Sequence, residues 1–279
     1  MDNLHRELAP ISAAAWADLE AEARRSFRRN VAGRRIADVT GPLGPDAAAV
    51  STGRRTRIDS GQDGVHAALR SAQQLVELRV PFTVSRDEVD AVERGAQDPD
   101  WSPVVDAAQQ AAFAEDAAVF EGLESAGIRG LSDDDAGALL ELPEDVRDFP
   151  DAVAQGVSAL RLESVDGPYS LVLGAEPYTR LAEVTDHGYP VLEHLRRVID
   201  GEILWAPAVD GAYVVSGRGG DFQLVLGQDL AIGYDSHDAE SVRLYFTETF
   251  TFLNLSPEAA VRLDPSSDDE EDDGAPGNS

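Results

Sequence analysis

Between Phe222 and Phe252 apolar side chains recur on every second residue in two long runs. Phe222, Leu224 and Leu226 share one parity with Leu230, Ile232 and Tyr234; after a turn, Val242, Leu244, Phe246, Phe250 and Phe252 repeat the pattern, with Arg243, Thr247, Thr249 and Thr251 opposite. A period of two sends alternate residues to opposite faces, so this stretch predicts a pair of long antiparallel strands with one buried and one wetter face. Two strands are marginal alone in water, so other parts of the chain must cover the apolar face. The same stretch holds one His, no Cys and no Lys, which is little reactive chemistry for so much ordered chain.

Two helices and a further strand are legible upstream. In "SAAAWADLEAEARRSFRRNVAG", Trp16, Leu19, Ala23, Phe27 and Val31 recur at helical spacing, with acids early and arginines late. That order complements the helix dipole. Ser12 is the expected N-cap and Gly33 the expected residue just past the C-terminus. "WSPVVDAAQQAAFAEDAAVFEG" predicts a second helix of about five turns, with Ser102 as cap, Pro103 at the first helical position and an end near Gly122. Its apolar face is drawn through Val105, Ala108, Ala112 and Val119, with Phe113 and Phe120 beside it. Val76, Leu78, Val80, Phe82 and Val84 alternate as a strand. Before them, "SGQDG" reads as a turn between extended arms with few apolar residues from Ser51 to Gly64. Such a hairpin cannot hold itself up and is expected to lie on something else, a neighbouring copy of the chain being one choice.

From Gly130 to Gly217 the pattern is mixed. "SDDDAGALLELPEDVRD" reads as an irregular acidic connection, "FPDAVAQGVSALRLE", "AEPYTRLAEVT" and "YPVLEHLRRVID" as helices, and "GPYSLVLG", "EILWAPA" and "GAYVVS" as strands. Together they predict a compact α+β insert. The ending "DPSSDDEEDDGAPGNS", with seven acids and no base, is expected to be a disordered tail.

Composition removes several chemistries. All 23 basic residues are Arg and there is no Cys, so a P-loop lysine, a Schiff-base amine, a thiol nucleophile and a disulfide are all excluded. No apolar run is long enough for a membrane span, and "MDNLHRELAP" has no signal-peptide core, so a cytoplasmic location is expected. Ser216 in "VVSGRGG" lacks the glycine two residues earlier that a nucleophile elbow wants, and "GRGG" precedes a strand rather than a helix. His5, His66, His187, His194 and His237 do not show the close spacing of a zinc motif. Glu115, Asp116 and Glu121 have no His at the spacing of a di-iron bundle and are read as a solvated helix face. No catalytic or metal-binding group is therefore expected. The formal charge of −29 disfavours bulk packaging of nucleic acid. Against that background "RRSFRRNVAGRR" places six arginines between Arg24 and Arg35, either as a solvated stripe or as a partner-facing surface.

"LHRELAPISAAAWADLEAEARRSFRRNVAGRRIADVTGPLG", "RVPFTVSRDEVDAVERGAQDPDW", "FAEDAAVFEG", "VDGPYSLVLG", "DHGYP" and "RGGDFQLVLGQDLAIGYDSHDAESVRLYFTETFTF" together resemble the encapsulin shell proteins, the actinobacterial members in particular. The likeness covers the chain to about Leu263. It implies the tailed-phage (HK97-type) capsid fold, an α+β architecture. Residues 1–45 would be the N-terminal helix and arm, 46–78 the extended E-loop, and 79–129 the P-domain with its spine helix. Residues 130–218 would be the A-domain, 219–263 the returning P-domain strands, and 264–279 an acidic exterior tail.

The resemblance also implies a function: copies of the chain, commonly sixty, close into an icosahedral nanocompartment around a cargo enzyme bearing a C-terminal targeting peptide. A dye-decolorizing peroxidase serving oxidative-stress defence is the first expectation for cargo and a ferritin-like protein with iron storage the second. Haem or iron would belong to the cargo and not to this chain, and no membrane or nucleic-acid partner is expected. Asp87 stands where some relatives place a flavin-binding aromatic, so flavin is not expected. The cargo dock would be lined by Phe27, Val31, Ile36, Leu230 and Ile232, flanked by Arg34, Asp38 and Asp229. Phe27→Asp would then abolish loading and leave the shell intact. Asp186, His187 and Gly188 would face the five-fold pore. The labels secreted bacteriocin and protease, attached to some relatives, are opposed by the missing export signal, triad and zinc motif, and a DNA-packaging viral capsid is opposed by the charge.

Overall fold

In the computed structural model, residues 3–132, 137–186 and 188–265 are described. From the N-terminus run α1 (Ala13–Asn30), α2 (Gly33–Ile36), β1 (Asp38–Thr40), β2 (Ala49–Ile58), β3 (Ala67–Gln74), β4 (Val76–Ser85), α3 (Arg86–Glu93) and α4 (Ser102–Phe120). There follow β5 (Leu139–Leu142), α5 (Phe149–Leu162), β6 (Tyr169–Leu173), α6 (Ala175–Glu183), β7 (Thr185–Asp186), β8 (Tyr189–Pro190) and α7 (Val191–Val198). The chain closes with β9 (Ile203–Trp205), β10 (Ala212–Ser216), β11 (Phe222–His237), β12 (Ser241–Asn254) and β13 (Ala260–Pro265).

The two long alternating runs are β11 and β12, paired antiparallel with Leu224 opposite Phe252 and Ile232 opposite Phe246. They form the centre of a four-stranded sheet in the order β1-β11-β12-β4. The helix α4 lies against this sheet and α1 lies against α4. Because α4 is sandwiched, it is buried around much of its circumference: Val104, Ala107, Ala111 and Ala118 join the expected Ala108, Ala112, Val119 and Phe120, whereas the expected Val105 and Phe113 are only half-buried. The small alanines let α1 and the sheet approach it closely. Phe82 and Phe246 stack at 4.8 Å beneath it. The helix starts one residue earlier than expected, at Ser102, with Trp101 as cap; the Ser102 N–H goes to Asp100 Oδ1 at 3.0 Å.

A five-stranded sheet, β5-β13-β10-β6-β9, carries α5, α6 and α7 and forms the insert. Two expectations change here. The acidic connection before α5 contains the strand β5, and the last strand, β13, joins this second sheet, not the first. Residues 256–265 therefore belong to the insert, and Asp264 and Pro265 are strand residues rather than tail. Buried Val261 and Leu263 alternate with Arg262 and Asp264, which form an ion pair, so the local pattern is that of a strand. The other tail residues, 266–279, lie outside the described residues. One apolar cluster runs from the insert into the end of the first sheet: Phe120 meets Tyr213 at 5.3 Å and Phe222 meets Phe252 at 6.4 Å.

The hairpin β2–β3 stands apart from both sheets. Nearly every residue is exposed, including Ile58, Val65 and Leu69, the last at 64%. The strands pair from Ala49 opposite Gln74 to Ile58 opposite Ala67, and Gln73 Nε2 donates to the Ala126 carbonyl at 3.1 Å near its base. Burying so little, it contributes little to the stability of its own chain. No helix among the described residues is long and apolar enough to cross a membrane.

Candidate functional site: a groove beside the first helix

Ser12 Oγ accepts the Ala15 N–H at 3.2 Å and starts α1 as its sequence predicts. The end differs. The helix stops at Asn30, Val31 is extended, and Gly33 opens the short helix α2 instead of following α1 as a cap. The cause lies on α4. Asp116, fully buried, accepts the Ala32 N–H at 2.9 Å and the Gly33 N–H at 2.8 Å, so its carboxylate captures two main-chain donors. Gly33 suits this close approach: a Cβ there would lie 3.0 Å from Val119 Cγ2 and 3.1 Å from Asp116 Oδ1, so both side chains would have to shift.

The hook at residues 31–36 delivers Arg34 into a cluster of carboxylates. Its Nε donates to Glu115 Oε1 at 2.9 Å and its Nη2 to Glu115 Oε2 at 2.7 Å, while Nη1 reaches Asp229 Oδ1 at 2.8 Å. Nη2 also meets Glu248 Oε1. Glu115 and Glu248 are buried, whereas Asp229 is half exposed. The reading of Glu115 and Asp116 as a solvated face is thereby corrected: both point inward, because α1, α2 and the sheet close over α4. Burial alone would lower the pKa of Arg34, but the hydrogen bonds and charge of Glu115, then Glu248 and Asp229, raise it. Burial, reinforced by the charge and hydrogen bonding of Glu115, pushes Glu248 well above the usual carboxylate range despite Arg34.

Asp229 and Leu230 reach this place through an irregularity in β11. The register jumps from Gln228 opposite Thr249 to Ala231 opposite Thr247, leaving two residues facing Glu248 alone. A bulge of this kind re-aims side chains. Here it brings Asp229 and Leu230 to the mouth of a groove of about 640 Å³ between α1 and the sheet. Ala23, Phe27 and Val31 form one wall; Leu230, Ile232 and Phe246 form the other. Arg6, Arg24, Arg28, Arg34 and Arg35 border it with Glu20 and Asp229. The Arg34 guanidinium lies 4.8 Å from the centre of the Phe27 ring.

Of the residues expected at a dock, Phe27, Val31, Arg34, Asp229, Leu230 and Ile232 thus come together. Ile36 and Asp38 do not. Ile36 packs against the core shared with the insert. Asp38 Oδ2 accepts the Gly220 N–H at 2.6 Å, beside the start of β11 and away from the bulge. Phe27 is only 4% exposed, so Phe27→Asp would bury a charge and test folding before it tested docking. Sequence reasoning missed Ala23, Phe246 and the supporting pair Glu115 and Glu248. The available signal was "AAFAEDAAVF", where two acids stand among apolar residues with no nearby base.

At the other candidate site, β7 and β8 form a two-residue hairpin with Asp186 opposite Tyr189. Gly188 has φ +81°, a turn conformation that favours glycine. His187 lies outside the described residues. Among the described residues no group of three or more His, Cys, Asp or Glu could hold a metal ion.

Asp116 gives the site a testable pH signature. Burial is the main cause of its rise from 3.8 to about 7, opposed by the Gly33 and Ala32 N–H groups. The folded chain keeps this proton where the unfolded chain has lost it, so the contribution of Asp116 to stability falls as pH rises through that window. Asp116→Asn is expected to remove up to about 1.4 kcal/mol per pH unit from the downward slope. Urea unfolding measured between pH 4 and pH 7 checks this, and an unchanged slope would refute it.

A long helix backing a sheet of mostly antiparallel strands, a second α/β domain and a coreless projecting arm make up a capsid-type fold. The virus-like particle protein of Pyrococcus furiosus has the same fold, with a TM-score of 0.63 at 19% identity over 89% of this chain and 99% of that one. A protein of Mycobacterium phage Ogopogo aligns with a TM-score of 0.55 at 14% identity, covering 85% and 92%. Residues 1–251 match the Linocin_M18 family, described as "Encapsulating protein for peroxidase". The type 1 encapsulin shell protein of Rhodococcus erythropolis is 58% identical over 263 residues, 94% of this chain and all of that protein. This chain belongs to the encapsulin shell-protein family.

Proposed function

We propose that this chain is a structural subunit, without catalysis of its own, that tiles with identical copies into a closed cytoplasmic shell of sixty subunits. The observation that carries this reading is the hairpin β2–β3, ten and eight residues of paired strand that cover no core of their own chain. In a shell it lies across a neighbour, and its exposed Ile58, Val65 and Leu69 lose contact with water. Electron microscopy and sedimentation of the purified chain test it: uniform hollow particles are expected, and a persistent monomer at working concentration would end the proposal.

The groove beside α1 takes the C-terminal peptide of a cargo enzyme. Its two apolar walls and charged rim suit an extended peptide, which needs apolar anchors and partners for its polar groups. The cargo we assign is a dye-decolorizing peroxidase, supported by the family's description. The tip of the hairpin β7–β8, with Asp186 and Gly188, is assigned to the pore through which small substrates enter. Leu230→Asp is the sharper test of the dock, because Leu230 is partly exposed at the bulge. Co-expressed cargo is expected to fall by at least about tenfold in the purified shells, in line with losing one apolar anchor. Full loading of that variant would refute the dock.

A further inference from the structure

The arginines around the groove are not alike. Arg6 pairs with Glu20 at 2.6 Å, Arg35 with Glu202 at 2.5 Å, and Arg34 is saturated by its three carboxylates. Arg24 and Arg28 are exposed on the rim and have no ion pair, side-chain hydrogen bond or ring contact among the described residues. They stand one turn apart on α1, where like charges weaken a helix. The two acids beside the groove, Glu20 and Asp229, are already engaged. In a chain with 52 acidic residues, two adjacent unpaired guanidiniums beside an apolar trough are an uncompensated positive site.

Resting on the docking reading above, we propose that the groove selects a cargo segment bearing carboxylates on one edge and apolar side chains on the other. Arg24 and Arg28 are its specificity-determining residues. Spacing supports a peptide. Four residues of helix advance about 6 Å, and two residues of extended chain advance about 6.6 Å. Asp or Glu at positions i and i+2 of the segment would therefore meet Arg24 and Arg28 in register. The intervening side chains would turn to the trough between Val31 and Leu230. Nucleic acid fits less well, because the trough walls are aliphatic apart from the buried rings of Phe27 and Phe246 and the protein as a whole is strongly acidic.

Fluorescein-labelled synthetic peptides mixed with the full-length chain while it reassembles into shells test this by anisotropy of the purified particles, since a closed shell would keep out a peptide added later. Three peptides share their apolar residues and carry Glu, Gln or Arg at the two edge positions. At low salt the Glu peptide is expected to bind about tenfold tighter than the Gln peptide and the Arg peptide more weakly still. The Glu advantage should vanish at about 1 M salt, where screening acts within about 3 Å. Arg24→Gln combined with Arg28→Gln should erase the preference, so that the Glu peptide binds no tighter than the Gln peptide. Equal binding of the three, abolished by Leu230→Asp, would overturn the acid preference while the dock stands. Binding indifferent to Leu230→Asp, or no binding at all, would overturn the dock and the preference with it. Tighter, Arg24- and Arg28-dependent capture of a labelled single-stranded oligonucleotide would reassign the pair to nucleic acid and overturn the proposal.

Discussion

Arg34→Met is expected to destabilise the subunit by about 3–5 kcal/mol, the cost typical of breaking a buried ion pair from one side. That is a large share of the roughly 5–15 kcal/mol that holds a domain together. The methionine fills much of the same space, so the loss is electrostatic. Glu115, with no exposed surface, loses its bidentate partner, and Glu248 loses the one cation paired with it among the described residues. The bulge at Asp229 loses the contact that holds it to the hook. Guanidinium unfolding followed by the fluorescence of Trp16, Trp101 and Trp205 reads the change; a midpoint within error of the parent would show that the cluster is not structural. Glu248→Gln should behave in the opposite manner. A carboxyl whose pKa is raised on folding contributes most below its ordinary value of 4.5, and that contribution is lost as pH rises through the raised value. The amide keeps the neutral form at every pH, so this variant is expected to match the parent in mild acid and exceed it in alkali. A variant less stable than the parent at alkaline pH would show that Glu248 is held ionised.

Deleting residues 53–70 and joining Thr52 to Ser71 through an Asn-Gly turn is expected to abolish particle formation completely while leaving a folded subunit. The reason is the separation between what the hairpin buries alone and what it buries in an assembly. Within the chain its strands contribute no residue to either apolar cluster as buried core, so their removal opens no cavity. In the proposed assembly they would supply exposed apolar side chains and the arginines Arg54, Arg55, Arg57 and Arg70 to copies with a net charge of −29. Sedimentation separates the outcomes, and the tryptophan fluorescence melt reports the fold. Intact particles from the shortened chain would remove the hairpin from the assembly; a lost melt would show that it supports its own subunit.

The strands β4, β11 and β12, the helix α1 and the coreless arm were legible because each is a local pattern. Alternation over Val76–Val84 or a helical stripe from Leu19 to Phe27 needs no knowledge of distant residues. The apolar character of half the groove could be read in the same way, from the stripe through Phe27 and Val31 and the alternation through Leu230 and Ile232, but that these residues line a dock was implied only by the family resemblance. What could not be read locally was which polar groups go inside. Glu115 and Asp116 look like solvated acids until Arg34, 81 positions away in sequence from Glu115, is placed against them. Gly33 looks like the end of a helix until Asp116 takes its N–H.

The amino-acid sequence by itself determined the kinds of elements, their approximate limits and the presence of an arm too poor in apolar residues to hold itself up, since periodicity and propensity act over a few residues. Only the tertiary structure decided that β13 crosses into the second sheet, that Ile36 and Asp38 face away from the groove, and that a bulge turns Asp229 toward Arg34. Those outcomes depend on burial and on charge pairing between segments that meet only when the chain is folded. The cost of an unpaired buried carboxylate has no counterpart in the extended chain.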